Sequence, residues 1–456
     1  MRKKGIIERM AEAPAEALSN TIDSAEQFRK SLPDAQLVKR SKDYWSMLGP
    51  GLTTGASDDD PSGIATYSQA GAKYGFQFLW LAGFTLPLMA IVQEMCARIG
   101  LVTGRGLAGN IRQHFPRRVL YVCTALLFGA NAFNIGADLG AMAKAVQLLA
   151  PGANYVVLLF GFTLVCLALQ IFTPYARYAK YLKWLAMLLL TYILSALLAH
   201  LDWGNVLHSA VVPHMSFDRE QILLVCAILG TTISPYLFFW QTSQEVEEGI
   251  QQGKTTLLLR RGANAADMRK MRVDVWSGMI LSNIVMFFII AACGGVLFTH
   301  GITIITTAAQ AAEALRPFAG DATYFLFAIG IIGTGMLAIP VLAGSSSYAL
   351  AESFKWREGM HHKLRGAYAF YGVIIISMFV GLAINFLGID PFKALIYSAI
   401  ANGIIAPVVL VLIVIMSSNK KIMGEWVNKR YVTAIGWIVS LLMAVAGIAA
   451  IIALFS

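Results

Sequence analysis

An all-α polytopic membrane protein is the fold class that the sequence predicts, and three observations predict it. Of 456 residues, 57% are hydrophobic and only 14% charged. Mean hydropathy is +0.63, whereas a water-soluble domain carries roughly 25% charged residues. Eleven stretches are long and apolar enough to cross a bilayer, which takes about 20 residues in a helix. The composition excludes disordered, collagenous and disulfide-scaffold classes. The five cysteines (Cys96, Cys123, Cys166, Cys226, Cys293) are widely spaced in apolar runs and read as small buried residues, not as a zinc site or disulfide framework.

The predicted spans are 46–72, 76–97, 119–147, 154–173, 183–201, 220–246, 274–298, 322–350, 367–388, 392–416 and 432–455. Residues 1–45 are polar and of mixed charge, with no uninterrupted apolar core. They are expected to form a partly helical cytoplasmic tail, not a secretory signal. The net charge of +10 is explained by topology. One set of alternate loops carries 22 Lys and Arg residues and the tail nine more, whereas the opposite loops carry only Lys73, Arg219, Arg316 and Lys393. The positive-inside bias therefore predicts a cytoplasmic N-terminus and, after eleven spans, an external C-terminus. The basic loops face anionic lipid, and nucleic acid is not an expected partner. Plasma-membrane residence, as a bacterial inner-membrane protein and a monomer, is the matching expectation.

Two spans are not clean helices. The first reads Gly49-Pro50-Gly51-Leu52-Thr53-Thr54-Gly55-Ala56-Ser57-Asp58-Asp59-Asp60-Pro61-Ser62-Gly63. Proline lacks a backbone donor and disfavours helix at the preceding residue. A carboxylate at the bilayer centre costs at least about 2.5 kcal/mol, so three in a row call for water, protein partners or a cation. The sixth span is interrupted likewise at Gly230-Thr231-Thr232-Ile233-Ser234-Pro235-Tyr236. The offset of five spans is odd, so 46–201 and 220–416 are predicted to be inverted repeats, with 432–456 as an added eleventh span. Matching interruptions in two halves point to a transporter's central site, and unwound carbonyls there can coordinate a cation. Two packing kinks are the plain alternative for the sixth span.

These residues resemble a known family. Gly49-Pro50-Gly51, then Asp60-Pro61-Ser62-Gly63, Ala65-Thr66 and Gln69-Ala70-Gly71, are similar to the first span of the Nramp divalent-metal transporters, whose signature is Asp-Pro-Gly-Asn. Arg98-Ile99-Gly100-Leu101-Val102-Thr103-Gly104 after the second span is also Nramp-like, and Gly230 to Gln241 lies where the family carries Met-Pro-His. The resemblance implies a LeuT-type fold with broken first and sixth helices, and alternating access. It places the family's metal-binding carboxylate at Asp60, its asparagine ligand at Gly63 and its methionine ligand at Ser234. Tyr236 and Gln241 replace histidines, Asp138 matches an acid of the third span, and Ala141 replaces a glutamate. Such departures resemble the Nramp-related magnesium branch, which carries Asp-Pro-Ser-Gly.

The substitutions have a chemical direction. A thioether suits late transition metals, whereas Mg²⁺ takes octahedral oxygen ligands and keeps several waters. Gly63 and Ser234 are thus expected to give a wider, all-oxygen pocket for a partly hydrated Mg²⁺, with Mn²⁺ also accepted and Cd²⁺ disfavoured. Asp60 supplies charge, Asp59 a second acidic group, and Tyr236, Gln241 and Asn402 line the cavity or bond between helices. All seven histidines lie at span ends or in loops, so no proton relay is evident apart from Asp138, for which Lys144 or a backbone donor is the expected partner. The membrane potential alone can drive uptake, at about 2.3 kcal/mol per charge per 100 mV. Glu94 is expected to pair with Arg98, and Glu245, Glu247 and Glu248 to form a solvated helix end. No catalytic constellation appears and no cofactor is implied; Gly253-Lys254-Thr255 lacks the remainder of a phosphate-binding loop. Three alternatives follow. A proton-coupled Mn²⁺/Fe²⁺ transporter would acidify the interior and take Cd²⁺. A Na⁺-coupled solute symporter would need Na⁺ and ignore divalent metal, and the aspartates disfavour it. A channel fits paired broken helices less well.

Overall fold

The computed structural model describes residues 44–455, apart from positions 46, 174, 200, 215, 217, 304, 306 and 307. The expected helix in the N-terminal tail lies outside the described residues, as does His200. Residues from Gly49 onward form one compact helical unit.

The first span is two helices, α1 (Pro50–Asp58) and α2 (Pro61–Tyr74). Pro61 cannot donate to the preceding turn, and Asp60 ahead of it is extended (φ −67°, ψ 170°). The second span is α3 (Leu79–Thr103), closed by Gly104 in the left-handed region (φ 64°). A short α4 (Leu107–His114) leads to α5 (Arg117–Leu149) and α6 (Tyr155–Phe172). The fifth span comprises α7 (Tyr175–Leu185), a 3₁₀ turn and α8 (Leu190–Leu198), followed by an outer helix α9 (Trp203–Val211). The sixth span is again divided, into α10 (Arg219–Thr232) and α11 (Pro235–Gln251), followed by one turn, α12 (Leu257–Arg260). Then come α13 (Ala265–Cys293), entered through an Asn264–Asp267 capping box, and α14 (Ala308–Phe354), which turns at Gly320 (φ 84°). The chain ends with α15 (Tyr368–Ile384), α16 (Pro391–Ser417), α17 (Lys420–Met423) and α18 (Arg430–Phe455).

Among the described residues nine helices are long and apolar enough to span a membrane, counting the divided sixth span as one, and Tyr368–Ile384 is a shorter apolar helix. With the broken first span these account for all eleven predicted crossings. On α18, Leu441, Val445, Ile448 and Ile452 form one exposed stripe; spacings of four and three residues put them on a single face, which suits lipid.

Helices approach closely where glycine permits. Gly55 on α1 lies directly against the Gly278 backbone on α13, leaving no space for a Cβ. The same α13 supplies Asp274, whose carboxylate accepts from the N–H groups of Gly49 (2.7 Å), Gly51 (2.7 Å) and Leu52 (3.0 Å). A carboxylate at a helix N-terminus satisfies donors that otherwise have no intrahelical partner. Thus α1 is capped and packed by one neighbour, which places the first break beside α5, α10, α11 and α16.

Candidate functional site

Asp58, Asp59 and Asp60 are all buried, at 0, 0 and 1% exposure, three consecutive acids in the core. They do not share one environment. Asp60 is the N-cap of α2: its Oδ1 accepts from Gly63 N (2.8 Å) and Ser62 Oγ (2.5 Å). Its Oδ2 accepts from Asn134 Nδ2 on α5 (2.8 Å) and, at 3.5 Å, from the Tyr236 hydroxyl on α11. Asp58 turns the other way, where its Oδ2 accepts from Ser282 Oγ on α13 (2.7 Å). Both carboxylate oxygens of Asp59 are buried without a hydrogen-bond partner, and so are both of Asp138. An unpartnered buried carboxylate is costly, so each of these calls for a cation or a proton.

The two breaks hold each other. The Tyr236 hydroxyl donates to Ser57 O (2.8 Å) at the end of α1, and Thr231 Oγ1 on α10 donates to Asp58 O (3.5 Å). Ser234 caps the second break from within, donating to Gly230 O (2.6 Å) and Thr231 O (2.8 Å). Every group that bonds to Asp60 is an oxygen or a nitrogen. Oxygen atoms from both breaks, together with Asp59, form a hard donor set, suited to a hydrated or oxygen-ligated cation.

The structure joins Asp60 to Gly63 and Tyr236 by hydrogen bonds, leaves Asp59 beside it without a partner, and turns the Ser234 hydroxyl back onto its own break. It does not bring Gln241 to them. Seven residues along α11 is about 10 Å of rise, and Gln241 Nε2 instead donates to Glu245 Oε1 (2.9 Å). Asn402 precedes Gly403, which packs against Gly230 of α10, and its buried Oδ1 has no partner. Gly63 does not widen the gap between the breaks in this conformation. A Cβ there would lie 3.0 Å from Thr231 Oγ1 and 3.2 Å from Asp58 O, so the glycine admits close approach of the two breaks.

Three expectations are corrected. Lys144 lies over the Tyr155 ring, 5.0 Å from its centroid, and does not partner Asp138. Glu94 pairs with Arg272 (2.9 Å) and accepts from Trp276 Nε1 (2.9 Å), because α13 packs against α3 there; Arg98 donates to Asn428. Glu245 and Glu247 are buried, not solvated. Glu247 accepts from the Tyr348 hydroxyl (2.8 Å) and Met360 N (3.0 Å) and pairs with His361 (2.9 Å), since the segment after α14 folds over the end of α11. Glu358 on that segment is half-buried, and desolvation, with the nearby Glu352 charge, pushes its carboxyl up to about 9.

Sequence reasoning missed Asn134 and Ser398. Ser398 Oγ on α16 donates to Asn134 Oδ1 (2.6 Å), which leaves the Asn134 amide N–H aimed at Asp60. The signal was legible: Asn131, Asn134 and Asp138 lie three and four residues apart, a polar stripe on one face of an otherwise apolar span. Asn131 bonds to Leu342 O, Ser345 and Ser346 on α14, which accounts for the serine run there.

The sequence pattern of the family described as Natural resistance-associated macrophage protein-like, Nramp, matches residues 51–453. The chain belongs to the Nramp family. It is 26% identical over 408 residues to the divalent metal cation transporter MntH of Klebsiella pneumoniae, covering 88% of this chain and 93% of that one. It is 26% identical over 402 residues to the MntH of Deinococcus radiodurans, covering 87% of each. A crystal structure of the Eremococcus coleocola manganese transporter superposes with a TM-score of 0.71 at 17% identity, covering 89% of this chain and 86% of that one. The nucleobase-cation-symport transporter Mhp1 superposes at 0.51 and 14% identity, covering 89% and 91%. These likenesses show the LeuT-type fold. As a Nramp protein the chain is a multi-pass membrane transporter, not an enzyme, and divalent metal is its cargo, not a resident cofactor.

Proposed function

We propose that this Nramp protein carries Mg²⁺, and Mn²⁺ with it, by alternating access and without proton coupling. The two repeats are 46–201 and 220–416, moving about the paired breaks. The N-terminus and the basic loops lie in the cytoplasm of a bacterial inner membrane, and the chain acts as a monomer. The observation that carries the reading is Ser234. At the second break Ser234 carries a hydroxyl, bonded back to the carbonyls of Gly230 and Thr231, where the resemblance expects a thioether. An oxygen-only set favours Mg²⁺ and Mn²⁺ over Cd²⁺.

Asp59 is the free charge that first attracts the ion, and Asp60 receives it when Tyr236 or Asn134 gives up Oδ2. Asn402, whose buried Oδ1 has no partner, is a further oxygen donor for the ion. Gln241 acts lower on the exit side, with Glu245.

A second reading, a proton-coupled Mn²⁺ transporter, is favoured by the lone carboxylate of Asp138 and by the manganese transporter in the superposition. Flux into proteoliposomes separates the two. The first reading expects Mg²⁺ entry, no lumenal pH change, and loss of flux in Asp60→Ala. Acidification that disappears in Asp138→Asn, or Cd²⁺ passing as well as Mg²⁺, selects the second.

A further inference from the structure

A polar cavity of about 240 Å³ lies on the face that carries the basic loops, away from the aspartates. Its lining includes Arg105, His114, Arg261 and Lys421, with Asn110 beside them, and among the described residues no Asp or Glu lines it. The cations come from three separate segments: the turn between α3 and α4, the loop after α12, and α17. Hydrogen bonds tie these segments into one wall. Gly262 N, next to Arg261, donates to Val102 O at the end of α3 (2.9 Å), and Trp426 Nε1 donates to Ala263 O (3.1 Å). The buried amide of Asn110 donates to Thr103 Oγ1 (2.9 Å), Arg105 O (3.1 Å) and Gly106 O (2.9 Å), which pins the Arg105 backbone.

Arg105 Nε is buried there without a hydrogen-bond partner. Burial disfavours the Arg105 charge most, and Arg261 and Arg112 repel it; Glu352 and Glu358, outside the lining, act in its favour. Converging cations with no acidic group among the described lining residues are the surroundings an anion requires. Guanidinium forks with an ammonium are the donor set that recognises phosphate oxygens.

We propose that this cavity binds the phosphate group of an anionic ligand. Two sources share that chemistry. A phospholipid headgroup suits the position at the end of a span, where Val102 and Ile422 add apolar lining. A soluble phosphate suits the open rim. The site is independent of the transported metal.

The test uses the full chain in a nonionic detergent. Binding of phosphatidylglycerol is followed by native mass spectrometry against phosphatidylcholine, and binding of inorganic phosphate by calorimetry at constant ionic strength against chloride. The wild type should bind one or both phosphate ligands above its control. Binding of the lipid alone assigns the site to a headgroup, and of inorganic phosphate alone to a soluble ligand. Arg261→Gln should weaken the response at least about tenfold, since a hydrogen bond to a charged group is worth about 1.5–3 kcal/mol, and the Arg261→Gln/Lys421→Gln pair should abolish it. Both side chains are exposed at the rim, so these variants are expected to fold, with an unchanged melting temperature as the check. Binding of neither ligand above its control, or undiminished binding by the double variant, overturns the proposal.

Discussion

The two helix breaks share a backbone and differ in chemistry. At the first, Asp59 (φ −86°, ψ 51°) ends α1, Asp60 (φ −67°, ψ 170°) is extended, and Pro61 starts α2. At the second, Ile233 (φ −118°, ψ 58°) ends α10, Ser234 (φ −84°, ψ 135°) is extended, and Pro235 starts α11. Position by position, Asp59 answers to Ile233 and Asp60 to Ser234. Proline after an extended residue sets the shape in both halves. Charge is confined to one half, while the other offers hydroxyls and carbonyls. Under the proposed function one half grips the cation and the other frames it, so that a single soft or hard residue in the frame sets selectivity without altering the grip.

The asymmetry can be broken from either side. The largest effect is expected at the charged half: Asp59→Asn and Asp60→Ala should each lower Mg²⁺ flux by at least about a hundredfold, more than loss of an outer partner costs, whereas Ile233→Ala should change it less than about threefold. Equal losses at Asp59 and Ile233, in the same liposome assay, would end the division of labour. Next is Asn134→Ala, which removes the donor to Asp60 Oδ2 and should raise the half-saturating Mg²⁺ concentration about 10–100-fold. Ser234→Met converts the frame and should raise Cd²⁺ flux relative to Mg²⁺ about tenfold, because the thioether is a soft ligand; an unchanged ratio shows that Ser234 does not face the ion. Gly63→Ala should cost about 1–3 kcal/mol of stability by overpacking, read as a lower melting temperature and partly restored by Thr231→Ala. The smallest is Tyr236→Phe, which removes the tie to Ser57 O and should cost about 1 kcal/mol in the same melting assay while leaving selectivity in place.

Much of this was legible along the chain. Apolar runs of about 20 residues, the alternation of Lys and Arg between loops, and two prolines behind small polar residues gave the spans and both breaks, because the bilayer and the proline ring act locally. The nearest-neighbour chemistry of the site was not. Asp58, Asp59 and Asp60 are consecutive, and one bonds Ser282, one is bare and one caps its own helix. The position of Gln241 two turns below the break, and of Glu247 beneath Met360 and His361, depends on what folds over α11.

The sequence by itself determined where the helices run and where they break, since those follow from backbone hydrogen bonding in a medium that supplies no other partner. Only the tertiary structure decided which carboxylates are satisfied. That depends on donors such as Asn134 and Ser282, which lie 74 and 224 residues from the aspartates they serve and reach them only through helix packing.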